Sequence, residues 1–156
     1  MNVLKGLLGG AAAGAAGTTA LNAVTYVDMA VRARGTSSAP EDVVETLAGK
    51  AGVPIPGNDD ERANRLAGLG PLAGLAAGIG VGAGLGLARG LGFRPGPAVS
   101  TLLGAVGAMA GADGPIAALG ISDPRTWAAK DWAADVVPHL AYGAVTAAVL
   151  RGLDQH

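Results

Sequence analysis

The sequence predicts an all-α integral membrane bundle of four transmembrane helices. Half of the residues are apolar, only 15% are charged and the mean hydropathy is +0.40, whereas roughly a quarter of the residues in an average soluble domain are charged. The chain has 27 glycines and only 3% aromatic residues, so it lacks the bulky side chains that stabilise a soluble core. We therefore predict a single membrane domain over residues 1–156.

Four segments have the length and composition of membrane spans. A helix needs about 20 mainly apolar residues to cross a hydrocarbon layer ~30 Å thick, and the predicted spans are 6–31, 66–88, 97–121 and 132–151. The uncharged part of the fourth span covers only about 15 residues, or ~22 Å. It should therefore start near Trp132, with Asp135 at the interface and with Trp127 in the same interfacial belt.

A secretory signal peptide is the alternative interpretation of the first span, because a charged start followed by an apolar run is also typical of such a peptide. Its uncharged run is longer than the core of such a peptide and contains few leucines, which favours a retained helix. His156, at the other end of the chain, is expected to be solvated.

The two larger loops are predicted to contain short amphipathic helices. In the first loop, Ser38 and Glu41 have the spacing of a capping box, which predicts a helix over residues 39–49; a solvated loop is the alternative. In the second loop, Ser122 or Asp123 should cap a helix that carries both tryptophans into the fourth span.

Glycine recurs at every fourth position in two spans. Residues four apart share a helix face, and a face without side chains allows another helix backbone to approach closely. The partner is either another span of this chain, which a compact bundle favours, or a second copy or partner subunit. The predicted helix-packing residues are Gly70, Gly74, Gly78, Gly82 and Gly86, continued by Gly90, in the second span and Gly6, Gly10 and Gly14 in the first.

Polar residues gather in one half of the predicted bilayer, because the ends of spans one and three and the start of span four lie on the same side. Polar groups in a membrane are costly and usually face the bundle interior, which makes them functional candidates. We predict a polar cavity or proton relay there; the alternative is a structural hydrogen-bond network. The candidates are Asn22, Thr25, Asp28, Asp113, Asp135, His139 and Tyr142.

Asp113 is the most informative of these residues because it lies in the run Gly111–Pro115, which resembles a broken helix. Irregular backbone within a membrane is tolerated only where it is buried or faces water. His139 is able to change charge near neutral pH and could relay protons with its helical neighbours. Alternatively, span three ends at residue 112 and Asp113 is an interfacial cap.

Several function classes have no support in the sequence. A net charge of −1 gives no basic surface for nucleic acid, and the absence of cysteine excludes disulfides and thiolate metal sites. We find no catalytic, cofactor-binding or metal-binding motif. The lipid bilayer is the expected partner, together with a second copy or a membrane complex. The leading hypothesis is a non-enzymatic helix-packing protein, and the alternative is a small channel or transporter for protons, ions or a small polar solute.

Five segments together resemble a family of small, uncharacterised integral membrane proteins from high-GC actinobacteria. They are residues 17–28 (GTTALNAVTYVD), 38–41 (SAPE), 64–71 (NRLAGLGP), 122–127 (SDPRTW) and 137–143 (VPHLAYG). The resemblance implies a location in the bacterial plasma membrane. It implies no activity, because none is established for that family.

Overall fold

The computed structural model describes residues 2–154, and this part of the chain is helical without strands. The helices are α1 (Val3–Arg32), α2 (Ala39–Lys50), α3 (Asp59–Gly90), α4 (Pro97–Ala118) and α5 (Ala129–Asp154). Four of them, α1, α3, α4 and α5, are long and apolar enough to cross a membrane. The predicted fold class is confirmed, and the protein has the features of a multi-pass membrane protein. The prediction for His156 lies outside the described residues.

The helices differ in length from the predicted spans. The fourth, α5, has 26 residues and is therefore ~39 Å long, because the charged residues before Trp132 continue the helix. The whole helix is long enough to cross a membrane, although its uncharged part alone is too short. In contrast, α4 ends at Ala118 rather than at residue 121, and Gly120 follows with a φ of 71°.

The four spans form a ring of antiparallel neighbours. Helix α1 lies between α3 and α5, α4 packs on α5, and a sparser interface between α3 and α4 closes the ring. We call the end with residues 33–58 and 119–128 the loop side and the opposite end the termini side. Helix α2 lies at the loop side against α3 and, less extensively, against α4.

Backbone contact between glycines joins α1 to α3. Gly6 lies against Gly86, Gly10 against Gly82 and Gly14 against Gly78, and a Cβ added to any of these glycines would overlap a neighbouring atom. In a membrane, such close approach supplies dispersion and weak Cα–H contacts in place of a hydrophobic driving force. This glycine face is therefore used inside the chain.

Two of the predicted packing glycines lie elsewhere. Gly70 contacts Pro40 and Glu41 at the start of α2, where a Cβ would come within 3.0 Å of Glu41. Gly74 is exposed and has no neighbour within 4 Å. The close backbone contact with α1 ends at Gly78, although α1 continues to Arg32, so the loop-side part of this face of α3 lies against α2 or open space.

The capping box lies at a different helix from the one predicted. Ser38 has helical backbone angles, φ −82° and ψ −9°, and its side chain makes no cap bond; a side-chain N-cap normally has extended angles. Asn58 is extended and forms a complete capping box with Glu61 at the start of α3. The second loop helix is shorter than predicted, a single 3-10 turn at Pro124–Thr126.

The third span is a continuous helix, so the prediction of a break at Gly111–Pro115 is wrong. Pro115 and Pro138 both lie inside regular helices. Each proline removes one backbone N–H donor and so leaves the carbonyl four residues earlier without its usual partner. Neighbouring helices support such positions in membrane proteins, so a single proline does not end the helix.

Candidate functional site

An ionisable cluster lies between α4 and α5 on the loop side. Gly143 packs against Thr101 and Ala105, and this antiparallel register brings Asp113 opposite Asp135. Asp113, Asp135 and His139 form what we call the loop-side cluster. From the 1.5 Å rise per residue, Asp113 is about 8 Å from the end of α4 and His139 about 15 Å from the start of α5. The cluster therefore lies within both helices, at least one turn from their loop-side ends.

Contacts within the loop-side cluster are close. The His139 side chain is 9% exposed, and its Nδ1 lies 3.2 Å from Oδ1 of Asp135 and 2.8 Å from the carbonyl oxygen of the same residue. Because that carbonyl can only accept, Nδ1 carries a hydrogen and donates it. The other nitrogen, Nε2, is then the one that takes up a second proton when the ring becomes charged.

The two carboxyl groups of the cluster make it a site for a positive charge. Asp113 interacts with both Asp135 and His139, and Oδ2 of Asp135 is buried with no hydrogen-bond partner. Two neighbouring carboxylates at low dielectric repel each other strongly, so the pair is favourable only when it shares a proton or holds another cation. The arrangement can therefore take up and release a small positive charge.

Tyr142 has a packing role in this structure. It is completely buried, and its hydroxyl donates a hydrogen bond of 2.6 Å to the carbonyl oxygen of Gly78. Its ring and the next polar side chain on α5, Thr146, occupy the space left by Gly17 on α1. Tyr142 thus connects α5 with both α1 and α3, directly beyond the loop-side cluster.

The predicted polar residues of α1 are separate from this cluster. Asn22 is exposed and Thr25 is half-buried, while Asp28 pairs with Arg34 at 2.5 Å and with Arg32 at 3.4 Å. No hydrogen bond among residues 2–154 joins them to the loop-side cluster. Spacing did not reveal the Arg34 contact because it forms only where the chain turns back after α1, at Ala33 with φ 49°.

The structure reveals a second ionic cluster that the sequence analysis did not identify. Arg89 of α3 is only 4% exposed; it donates to Asp154 of α5 at 2.5 Å and to Ser100 of α4 at 2.9 Å. We call these three residues the termini-side cluster. The inward position of Arg89 could have been predicted from the sequence, since it follows Gly82 and Gly86 at helical spacing and therefore lies on the same face of α3.

Two cavities lie near the clusters. A void of about 20 Å³ lies beside Arg89 and Ser100, enough for a single water molecule. An open depression at the α4–α5 connection is lined by residues that include Ala117 and Asp123. Ala117 lies one turn beyond Asp113 on the same face of α4, so the depression ends one turn above the loop-side cluster.

The rim of the depression carries a charged pair outside the membrane. Arg125 donates to both carboxylate oxygens of Asp123, with contacts of 2.9 to 3.2 Å. The positive guanidinium holds the pKa of Asp123 below its ordinary value. The entrance of the depression thus contains one fixed positive and one fixed negative charge.

Among residues 2–154, no group of three or more His, Cys, Asp or Glu side chains could hold a metal ion. The loop-side cluster contains three ionisable groups, but they do not converge on one coordination point. Comparison of the chain with protein-family models, with curated proteins and with solved structures finds no match.

Proposed function

We propose that the chain is a non-enzymatic membrane protein that carries a proton or another small cation through the loop-side cluster, as a small channel or transporter. The observation that supports this most strongly is at Asp135, whose two oxygens differ in their surroundings. Oδ1 contacts His139, while Oδ2 is buried with no partner other than the neighbouring Asp113 carboxyl group. An incompletely satisfied acidic pair is costly unless it binds a positive charge.

Access from the loop side supports the same proposal. The depression at the α4–α5 connection ends one helical turn above Asp113, and ionisable residues within spans typically mark ion pathways or proton relays.

A proton-flux measurement tests this proposal. The purified protein is reconstituted in liposomes that contain a pH-sensitive dye, and a potassium diffusion potential drives uptake. We expect Asp113→Asn and Asp135→Asn each to lower the flux by about tenfold or more, since a general acid–base group typically contributes factors of this size or larger. Asp60→Asn, at an exposed aspartate in the first turn of α3, is the matched control.

The outcomes separate the alternatives. Loss of flux in both cluster variants, with unchanged helicity and monodispersity, supports the proposal. Flux that equals the wild-type value in both variants contradicts it. Repeating the measurement with sodium or potassium gradients at equal pH distinguishes a proton from a metal cation as the transported charge.

A role in assembly, as a small oligomer or as an accessory subunit of a membrane complex, is the second candidate. The contacts between α1 and α3 support a glycine zipper of GxxxG spacing inside the chain, so this stripe does not require a second copy. The opposite face of α3 remains exposed, where Gly80 and Gly84 have no neighbour within 4 Å. Native mass spectrometry that finds only a monomer, and gentle extraction that recovers no partner, would exclude this role.

We also propose that the membrane is a bacterial plasma membrane. The support is the resemblance of the five segments to a family of actinobacterial membrane proteins, together with four helices long and apolar enough to span a bilayer. Expression of a tagged chain in an actinobacterial host, followed by membrane fractionation, tests the location. Recovery of the chain outside the plasma-membrane fraction would contradict it.

A further inference from the structure

We propose that the termini-side cluster is a gate. Arg89, Ser100 and Asp154 hold the termini side of the bundle closed, and their separation opens a route between the loop-side cluster and the opposite side of the membrane. This inference rests on the proposed transport function and assigns the control of that route to residues far from the loop-side cluster.

The inner face of α5 provides a route of polar groups along the whole span. After Asp135 and His139, the residues at successive helical turns are Tyr142 and Thr146, and Asp154 ends the helix. The single aliphatic residue in this series is Leu150, which is 1% exposed; Tyr142 and Thr146 are completely buried too, so their packing must also loosen before a charge can pass. Polar groups at each turn can support the passage of a charge, whereas a buried aliphatic side chain forms a constriction.

The constriction and the termini-side cluster lie together. Leu150 and Ala147 line the small void beside Arg89 and Ser100, at the junction of α3, α4 and α5. A single guanidinium group joins these three helices, because Arg89 donates to Asp154 and to Ser100. Arg89 is thus the side chain that touches both partners, while Arg94 lies 4.0 Å from the other oxygen of Asp154. A space large enough for water already lies behind Arg89.

The chemistry of the cluster suits a contact that opens and closes. A buried ion pair carries a large desolvation penalty and is often no more stabilising than apolar residues of the same volume, so it is weak evidence for a stabilising role. Oδ1 of Asp154 is buried without a hydrogen-bond partner, although the Arg94 guanidinium lies 4.0 Å from it. Asp154 lies in the last described turn of α5, so a movement of that one turn changes its distance to Arg89.

The sparse packing between α3 and α4 gives these helices room to separate. Their interface is less extensive than the other interfaces between neighbouring spans, and it includes the side chain of Val81 against Gly107 and Gly111. The ring of spans is therefore weakest along the seam that Arg89 and Ser100 join at the termini side.

Cysteine labelling tests the gate without a flux measurement. The chain contains no cysteine, so Ala147→Cys places one thiol beside the void, at a position that is 4% exposed. A small water-soluble methanethiosulfonate is added to the reconstituted protein. We expect slow labelling in this parent, and we expect Asp154→Asn to raise the rate by about tenfold or more because it removes the charge that holds Arg89.

Three variants accompany this measurement. Asp28→Asn breaks an ion pair on the loop side and should leave the labelling rate unchanged. The exchange Arg89→Asp with Asp154→Arg, made together with Arg94→Gln because Arg94 lies 4.0 Å from Asp154, restores opposite charges and should return the rate toward that of the parent. Arg89→Lys keeps the charge but removes the forked donor that reaches both partners, so it should raise the rate even if Asp154→Asn fails to fold.

The gate is contradicted if the parent already labels as fast as an exposed thiol, or if neither Asp154→Asn nor Arg89→Lys raises the rate. An equal rise in Asp28→Asn contradicts it too, because the effect would then be general loosening. Labelling reports only on the termini side, whereas the flux of Asp113→Asn reports on the loop-side cluster. The gate and the proposed function can therefore fail independently.

Discussion

Replacing Gly82 with alanine places a methyl group where the backbones of α1 and α3 touch. The added Cβ would lie 2.5 Å from Cα and 2.6 Å from N of Gly14, whereas ordinary contacts are 3.4 to 4 Å. The obstacle is backbone, which cannot rotate away as a side chain can. The two helices must therefore separate locally by about 1 Å, a gap that forfeits a quarter to a half of each nearby dispersion contact.

A matched control is available two residues away on the same helix. Gly84 has no neighbour within 4 Å, so Gly84→Ala adds a methyl group in open space. Both variants gain the same helix propensity, about 1 kcal/mol, and the difference between them isolates packing. Overpacking of this kind costs about 1–3 kcal/mol. We therefore expect Gly82→Ala to be less stable than Gly84→Ala by about that amount.

Thermal unfolding in detergent micelles measures the difference. Trp127 and Trp132 are in contact at a tilted angle, with ring centroids 5.1 Å apart and planes at 60°, so their fluorescence should report loss of the bundle. At about 2–4 °C per kcal/mol for a chain of this size, Tm should be about 2–12 °C lower in Gly82→Ala than in Gly84→Ala. Equal Tm values would refute close backbone contact between α1 and α3.

Three further outcomes are expected. Tyr142→Phe removes the hydroxyl that donates to α3 and should lower the free energy of unfolding by about 1 kcal/mol; no change would show that this bond contributes nothing. Asn58→Ala removes a helix cap and should lower the free energy of unfolding by about 1 kcal/mol. Ser38→Ala should lower it by less, because the Ser38 side chain makes no cap bond. A larger loss in Ser38→Ala than in Asn58→Ala would contradict the observed caps. Arg125 lowers the pKa of Asp123 in the folded protein. The stabilisation from this ion pair is therefore complete at pH values above the ordinary pKa of an aspartate, and it disappears as the pH falls through the lowered pKa. A carboxyl carbon NMR titration should therefore give Asp123 a midpoint below 3.8 that rises in Arg125→Ala, and an unchanged midpoint would rule out the pairing.

The sequence predicted the helices well and their ends less well. Hydropathy identified all four spans because transfer into lipid depends on the local composition of each segment. The start of α5 was placed near Trp132 rather than at Ala129 because charged residues can continue a helix at the interface. The break at Asp113 was wrong because a helix supported by neighbouring helices accommodates Pro115.

Side-chain partners were harder to predict. Helical spacing correctly placed Asp135 and His139 on one face of α5, since that relation is local. The register between α4 and α5 then brought Asp113 to them. Helical spacing also placed Asp28 on the polar stripe of the first span, but its partner is Arg34, which comes close only through the turn at Ala33.

Composition and periodicity by themselves determined that this chain has four helices long and apolar enough to cross a membrane and that it presents a glycine face, because each of these properties depends on residues near one another in the chain. Only the tertiary structure decided which glycines touch, so that Gly78 faces α1 while Gly74 faces open space. It also paired Arg89 with Asp154 across 65 positions. Such pairs depend on how whole helices are shifted and rotated relative to one another. That arrangement results from many contacts, each of which contributes only a small energy.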